Sequence, residues 1–280
     1  MDKKCQDVIE IIDSKELHDM LENKNDQLLL VDVRQPKEYE QGHIPGSILI
    51  PLGQLELGHP SLEKKKKVAT YCHSGKRSLL AANILCQMGF NQVMSLRGGI
   101  TNWKYELLTG PPGRPLTPEE IKSTLDILMK AFEKEYFKYN FYTSKKEEVT
   151  IEEIKGLLEK LAAWEKEHFN TIYQKYVSWS DKQGLTPKSQ EEIKNSFGDV
   201  LTSKGKSYQE DPTKGSLTDP KDPVELLEKA VEEEFEAYDF YKVSGETMKD
   251  EEIRSLLLEL SFEERSHAFH LLGLIPGYIK

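Results

Sequence analysis

Cysteine is scarce in this chain, with three in 280 residues, Cys5, Cys72 and Cys86, and no Cys-x-x-Cys pair. That scarcity excludes a disulfide framework, a structural zinc ribbon and a rubredoxin-type iron site, so each thiol is read by itself. Basic charge is short as well: 38 Lys and Arg stand against 48 Asp and Glu, a net charge of −10. No basic face is left for a phosphate backbone, which makes nucleic acid and anionic membranes poor partners, whereas an acidic chain suits cations. Long apolar runs are also missing. Nothing approaches the roughly 20 residues of a membrane span, and Met1-Asp2-Lys3-Lys4-Cys5 leads into no signal-peptide core. The expected location is the cytoplasm.

A length of 280 residues is too much for one compact helical bundle and comfortable for two cores. From about Val8 to Trp103, short β-rich runs alternate with short amphipathic helices, the texture of an α/β domain with a largely parallel sheet. Leu28 to Val33, Val68 to Tyr71 and Gln92 to Leu96 read as strands, and Ser78 to Met88 as a helix. Leu108-Thr109-Gly110-Pro111-Pro112-Gly113-Arg114-Pro115 then breaks regular structure. It divides a first domain, 1–108, from a second, 117–280, through a linker at 109–116. Thr117-Pro118-Glu119-Glu120 has the hydroxyl cap, early proline and first-turn acids of a helix start.

The second domain repeats itself. Ala131, Glu135, Tyr139 and Tyr142 recur as Ala230, Glu234, Tyr238 and Tyr241, and Leu158, Leu161, Glu165 and His168 as Leu257, Leu260, Glu264 and His267, always at the same 99-residue offset. Each copy is a helical hairpin. One hairpin cannot bury its apolar stripe, so two pack as a four-helix bundle joined by a long polar crossover at 182–223.

Cys72 follows the apolar run Val68-Ala69-Thr70-Tyr71 and precedes a helix, with His73, Ser74, Gly75, Lys76, Arg77 and Ser78 as the connection. Backbone N–H groups converge in such a turn, the helix presents its positive end, and Lys76 and Arg77 add full charges. Together they favour thiolate over thiol, making Cys72 a nucleophile in a loop built for an anionic sulfur donor. Cys86 lies on a helix that must pack on the sheet and reads as core filler, with a resolving thiol as the alternative; the position of Cys5 is not fixed.

Leu30-Val31-Asp32-Val33-Arg34, Glu38-Tyr39, Gly42-His43-Ile44-Pro45-Gly46-Ser47, the Cys72 loop, and Leu96-Arg97-Gly98-Gly99-Ile100 with Trp103 resemble the rhodanese family in order and spacing over about 110 residues. The resemblance implies a parallel sheet flanked by helices and a persulfide carried on Cys72 between a donor, such as thiosulfate or a persulfide, and an acceptor. Cys72 and Arg77 are separated by the four residues of the rhodanese loop; related phosphatases place five there, which disfavours phosphate-ester chemistry. Asp32 and Arg34 match the family's pair after the central strand and carry a scaffold role.

In the second domain, Leu128, Ala131, Phe132, Tyr139 and Tyr142 put Glu135 on the buried stripe of its helix, and Leu227, Ala230, Val231, Tyr238 and Tyr241 do the same for Glu234. Glu165 with His168, and Glu264 with His267, continue the stripes of their own helices. A single Glu-x-x-His is ordinarily accidental; two, each thirty positions after an inward Glu, are not. Four bare carboxylates inside an apolar core are too costly, and two divalent cations offset that cost. Oxygen and nitrogen donors without thiolate suit iron or manganese and tolerate zinc.

This half resembles the rubrerythrin family of ferritin-like proteins from about Thr117 to Gly277. The resemblance implies a di-iron centre with Glu135 and Glu234 as single-helix ligands, Glu165 and Glu264 completing the carboxylates, and His168 and His267 capping each metal. It further implies peroxide reduction or ferrous iron oxidation. No rubredoxin module follows, so electrons come from another protein. Position 237 is Ala where the family carries an extra acid. Tyr139, Tyr238 and Trp164 read as packing residues.

The leading expectation is a bifunctional enzyme, persulfide transfer at Cys72 with peroxide reduction at the metals. The alternatives are an iron oxidation or storage protein whose first domain docks partners, and a redox or sulfide sensor. A homodimer is compatible with each.

Overall fold

The computed structural model describes residues 5, 8–23, 28–57, 62, 64, 66–109, 123–197 and 223–275. Packing divides the chain into two compact units, Met1–Pro115 with Tyr238–Thr247, and Leu116–Ala237 with Met248–Lys280. The linker after Thr109 and the helix start expected at Thr117 lie outside the described residues.

The first unit is an α/β domain on a five-stranded, wholly parallel sheet. Its elements are β1 (Ile9–Ile12), α1 (Ser14–Glu22), β2 (Leu28–Asp32), α2 (Pro36–Glu40), β3 (Ile48–Leu49), β4 (Lys67–Tyr71), α3 (Lys76–Gln87) and β5 (Val93–Leu96). The strand order is β1-β5-β4-β2-β3. Interior strand β2 pairs with β4 from Leu28↔Lys67 to Asp32↔Tyr71, and every one of its five residues is buried. A parallel sheet covered on both faces requires such an unbroken apolar strand. Alternation sends Leu29 and Val31 to one face, with Ala81, Ala82 and Leu85 of α3. Leu28 and Leu30 go to the other, with Leu17 and Leu21 of α1. The three expected strands are present within a residue at each end; β1 and β3 were not among them. Helix α3 begins at Lys76, two residues before the expected Ser78, because Gly75 at φ 88° turns the chain directly into it.

One sequence expectation is overturned. Cys5 and Cys86 form a disulfide, with Cα atoms 5.9 Å apart across 81 positions of sequence. Cys86 is therefore a cross-link and not core filler, and Cys72 is the free cysteine. Topology brings the pair together: α3 returns the chain to β5, which pairs with β1, the strand that follows Cys5. No local pattern in the sequence announces that meeting.

The second unit is helical. Its long helices are α4 (Thr124–Glu148), α5 (Glu152–Lys182), α7 (Pro223–Thr247, of which Tyr238–Thr247 groups with the first unit) and α8 (Glu251–Leu274). The turns between α4 and α5 and between α7 and α8 fall at Val149–Ile151 and Met248–Asp250, keeping the 99-residue offset. Ser123 caps α4 and Asp250 caps α8 through the backbone N–H groups of their first turns. Phe132 against Phe169 and Tyr176 joins α4 to α5, and Phe235 against Phe269 joins α7 to α8. The crossover at 182–223 is less featureless than its composition suggests. It contains α6 (Gln190–Ser196), started by a Ser189–Glu192 capping box and anchored by fully buried Ile193. Residues 198–222 lie outside the described residues.

Closing a loop of this length with a disulfide stabilises by about 4.5 kcal/mol on the chain-entropy model. Cys86→Ser should therefore lower the melting temperature of the first unit, and thiol titration of denatured, unreduced wild type should find Cys72 alone. Three reactive thiols in that titration would contradict the cross-link.

Candidate functional site

Two clusters carry the chemistry-bearing residues, one in each unit. In the first, β4 ends at Tyr71 and Cys72 is the next residue, buried with 1 % of its surface exposed. The Gly75 N–H donates to Cys72 Sγ at 3.2 Å. Lys76 and Arg77 are the first two residues of α3, so the positive end of the helix is directed at the loop that holds the sulfur. His73, Ser74 and Lys76 are exposed, while Gly75 and Arg77 are half-buried. Ser78, expected to line the substrate loop, is buried instead. Its Oγ donates to Gly75 O at 3.1 Å and accepts from Ser95 Oγ at 3.0 Å, so it holds the loop from beneath.

The loop is clamped from its other side by the glycines after β5. Ile100 N–H donates to Cys72 O at 2.8 Å and Thr101 N–H to His73 O at 3.2 Å. Gly99 has φ +61°, and a Cβ there would overlap those carbonyl oxygens, lying 2.6 Å from His73 O. Arg77 is held by Glu38 through two hydrogen bonds, 2.8 Å from Nη1 and 2.6 Å from Nη2. The Arg77 guanidinium holds the Glu38 carboxyl down at about 2. Asp32 and Arg34, both buried, form a bidentate pair below the loop, with Arg34 Nη2 also donating to Gly42 O at 2.7 Å. Tyr71 packs under Arg34, its ring centroid 5.5 Å from the guanidinium carbon.

In the second unit, α4, α5, α7 and α8 contribute Glu135, Glu165, Glu234 and Glu264, each fully buried. With His168 and His267 they form two overlapping groups, Glu135, Glu165, His168 and Glu264, and Glu165, Glu234, Glu264 and His267. Within each group one ligand-type atom per residue lies within 4.8 Å of every other. All six residues singled out in the sequence are thus brought together. His168 Nδ1 lies 3.1 Å from Glu135 and 3.0 Å from Glu264, and its Nε2 lies 3.0 Å from Glu263. His267 stacks on Trp164 with ring centroids 4.3 Å apart and on His168 at 5.4 Å, which gives Trp164 its packing role.

The sequence reading missed one member of this cluster. Lys138, one turn after Glu135 on α4, is 2 % exposed. Its Nζ lies 2.9 Å from Glu165 and 3.0 Å from Glu234, and it also pairs with Glu264. Tyr142 donates to the other oxygen of Glu234. Tyr139, expected inward, is only half-buried. Burial opposes the charge on Lys138, but Glu165, Glu234 and Glu264 keep it an ammonium well above its ordinary range. Burial pushes Glu165 up, with Lys138 pulling the other way. Glu135 is held at about 2, because Lys138 and His168 outweigh its burial. Both oxygens of Glu165, Oε1 of Glu264 and Nδ1 of His267 are buried without a hydrogen bond, close though some of their charged neighbours are. Orphaned carboxylate and imidazole donors turned toward a common centre fit a metal cation.

Residues 13–106 match the rhodanese-like domain. A sulfurtransferase from Allochromatium vinosum is 40 % identical over 92 residues, which are 33 % of this chain and 85 % of that protein. The chain belongs to the rhodanese-like family. A thiosulfate sulfurtransferase from Coxiella burnetii is 33 % identical over 81 residues, 29 % of this chain and 76 % of that protein. A solved rhodanese-related protein from Thermoplasma volcanium, 32 % identical, covers 35 % of this chain and 97 % of its own, with a TM-score of 0.32.

The rhodanese-like match runs from α1 through the segment after β5 and so contains the whole Cys72 loop with its Gly98-Gly99 clamp. Glu38, Ser95 and Gly99 were not singled out as site residues. Glu38 and Gly99 nevertheless stand within segments whose order and spacing resemble the family, a signal that could have found them. Ser95, inside a strand, has no such signal.

Gly99→Ala should cost more than Gly89→Ala. Both add a side chain at positive φ, at about 1–3 kcal/mol each, but Gly89 has only the flexible end of Lys64 nearby, at 3.5 Å, whereas Gly99 faces backbone carbonyls. Equal melting temperatures for the two variants would show that Gly99 does not clamp the loop.

Proposed function

We propose that the rhodanese-like unit transfers sulfane sulfur through a persulfide on Cys72. The observation that carries this reading is the Gly75 N–H directed at Cys72 Sγ, 3.2 Å away, in a turn that opens a helix. Backbone N–H groups and a helix N-terminus favour the thiolate and an anionic donor alike. With thiosulfate as donor, the Cys72 thiolate attacks the outer sulfur, the sulfur–sulfur bond of thiosulfate breaks, and sulfite leaves with the electron pair. An acceptor thiolate or cyanide then attacks the outer sulfur of the persulfide and restores the Cys72 thiolate. Lys76, exposed at the start of the helix, attracts the donor electrostatically. Arg77, its charge paired with Glu38, fixes the side of the loop, and His73, Ser74 and Gly75 frame the approach. The Coxiella burnetii relative is a thiosulfate sulfurtransferase, which supports thiosulfate as the donor.

For the second unit the reading is a ferritin-like, rubrerythrin-like bundle that binds redox metal, with iron the first candidate and manganese or zinc as substitutes. Four buried carboxylates and two imidazoles converging from four helices support it. Glu135, Glu165, Glu264 and His168, with Glu234 and His267 beside them, would hold the metal. Iron bound there would support peroxide reduction with electrons from an external donor, or the oxidation of ferrous iron by peroxide or dioxygen. The residues around it exclude water and fix the donor geometry. Trp164 backs His267, Tyr142 orients Glu234, and Glu263 engages the outer nitrogen of His168. Second-partner contacts of this kind set ligand orientation. Among the described residues no helix is long and apolar enough to cross a membrane.

A crossed pair of variants of the full chain tests both halves. Cys72→Ala should abolish thiosulfate-to-cyanide transfer and leave iron content unchanged. Glu165→Ala should lose iron and lower the melting temperature, since a metal that binds the folded state stabilises it by mass action. Transfer that survives in Cys72→Ala removes the sulfur assignment, and unchanged iron in Glu165→Ala removes the metal assignment.

A further inference from the structure

Lys138 raises a question of number. The two overlapping donor groups share Glu165 and Glu264, and differ in that one adds Glu135 and His168 and the other Glu234 and His267. The ammonium of Lys138 touches Glu165, Glu234 and Glu264, three of the four members of the second group. It reaches that point from α4, where it follows Glu135 by one helical turn, so the same face of one helix offers a ligand to the first group and a cation to the second. It is not a surface lysine folded inward by chance: its side chain is 3 % exposed, and the three carboxylates it meets are 0 % exposed. Withdrawing it would strand buried carboxylate charge, which is costlier than never having placed it.

Repulsion points the same way. A second ion would share Glu165, Glu234 and Glu264 with a fixed positive charge at hydrogen-bond distance from them. In a buried site the repulsion between such neighbours is poorly screened. The repeat shows what is unusual: the residue that matches Lys138 at the 99-residue offset is Ala237, so only one of the two hairpins carries the cation.

We propose that Lys138 is a resident cation that fills the second of the two positions, so that the chain holds a single metal ion, on Glu135, Glu165, Glu264 and His168. This rests on the reading of the cluster as a metal site and revises the count from two ions to one. The lysine then serves the site as an ammonium bridge: it neutralises Glu234 and the inner edges of the two shared glutamates, and keeps His267 out of the coordination sphere.

Metal stoichiometry tests it. Full-length protein is loaded anaerobically with ferrous iron, freed of excess, and analysed for bound metal per chain as wild type, Lys138→Met, His168→Ala and His267→Ala. The inference expects one ion in wild type, two in Lys138→Met, one in His267→Ala, and loss of binding in His168→Ala. Two ions in wild type overturn it and leave the metal reading standing; no ion in wild type or in Lys138→Met overturns both. A single ion in Lys138→Met also overturns it. If Lys138→Met does not fold, the histidine pair decides: equal loss of metal in His168→Ala and His267→Ala overturns the inference, and unequal loss in the stated direction supports it.

Discussion

An ionised group inside an apolar interior has to be answered by opposite charge or by a full set of hydrogen bonds, and both units are organised around that requirement. In the first unit the requirement is met inside a few residues. Asp32 closes β2, Arg34 folds back on it, and the same guanidinium donates to Gly42 O, which ties the segment before β3 to the end of β2. Tyr71, the last residue of β4, packs against that pair and shares its hydroxyl with Ser47. Cys72 is the next residue. The sulfur therefore leaves the sheet from a strand end that buried charge has made rigid.

In the second unit the requirement is met across helices. Glutamates from α4, α5, α7 and α8 meet at one place, and no helix can satisfy its own. Lys138 and His168 supply what the chain itself can, and several donor atoms are still left without hydrogen bonds. A carboxylate cluster that is only partly answered by protein cations fits a metal cation, and that fit is the reason that the proposed function of this unit is metal chemistry. The contrast between the units is instructive. Asp32–Arg34 is closed and serves as scaffold, whereas the glutamate cluster keeps buried oxygens without hydrogen bonds.

Much of this was legible in the sequence where the pattern was local or repeated. The continuous apolar run Leu28 to Val31 declared a doubly covered strand, and the hairpin turns fall where the 99-residue repeat requires. The six carboxylate and histidine positions converge because residues three and four apart share a helix face. What was not legible was of another kind. The Cys5–Cys86 bond joins residues 81 positions apart and depends on which strand lies at the sheet edge. Lys138 was not singled out: lysine is seldom fully buried, and its neighbour Tyr139 was taken as the inward residue. Ser78, which belongs to the Cys72 loop by sequence, turned out to support the loop from within.

The central claim is that buried carboxylate charge in the helical unit is answered by one metal and one lysine. Anomalous scattering at the iron edge from crystals of the full chain grown with ferrous iron tests it most directly. The account predicts a single anomalous peak bounded by Glu135, Glu165, Glu264 and His168, with Lys138 Nζ still seated between Glu165, Glu234 and Glu264. Two peaks, the second flanked by Glu234 and His267 with the lysine displaced, would contradict it.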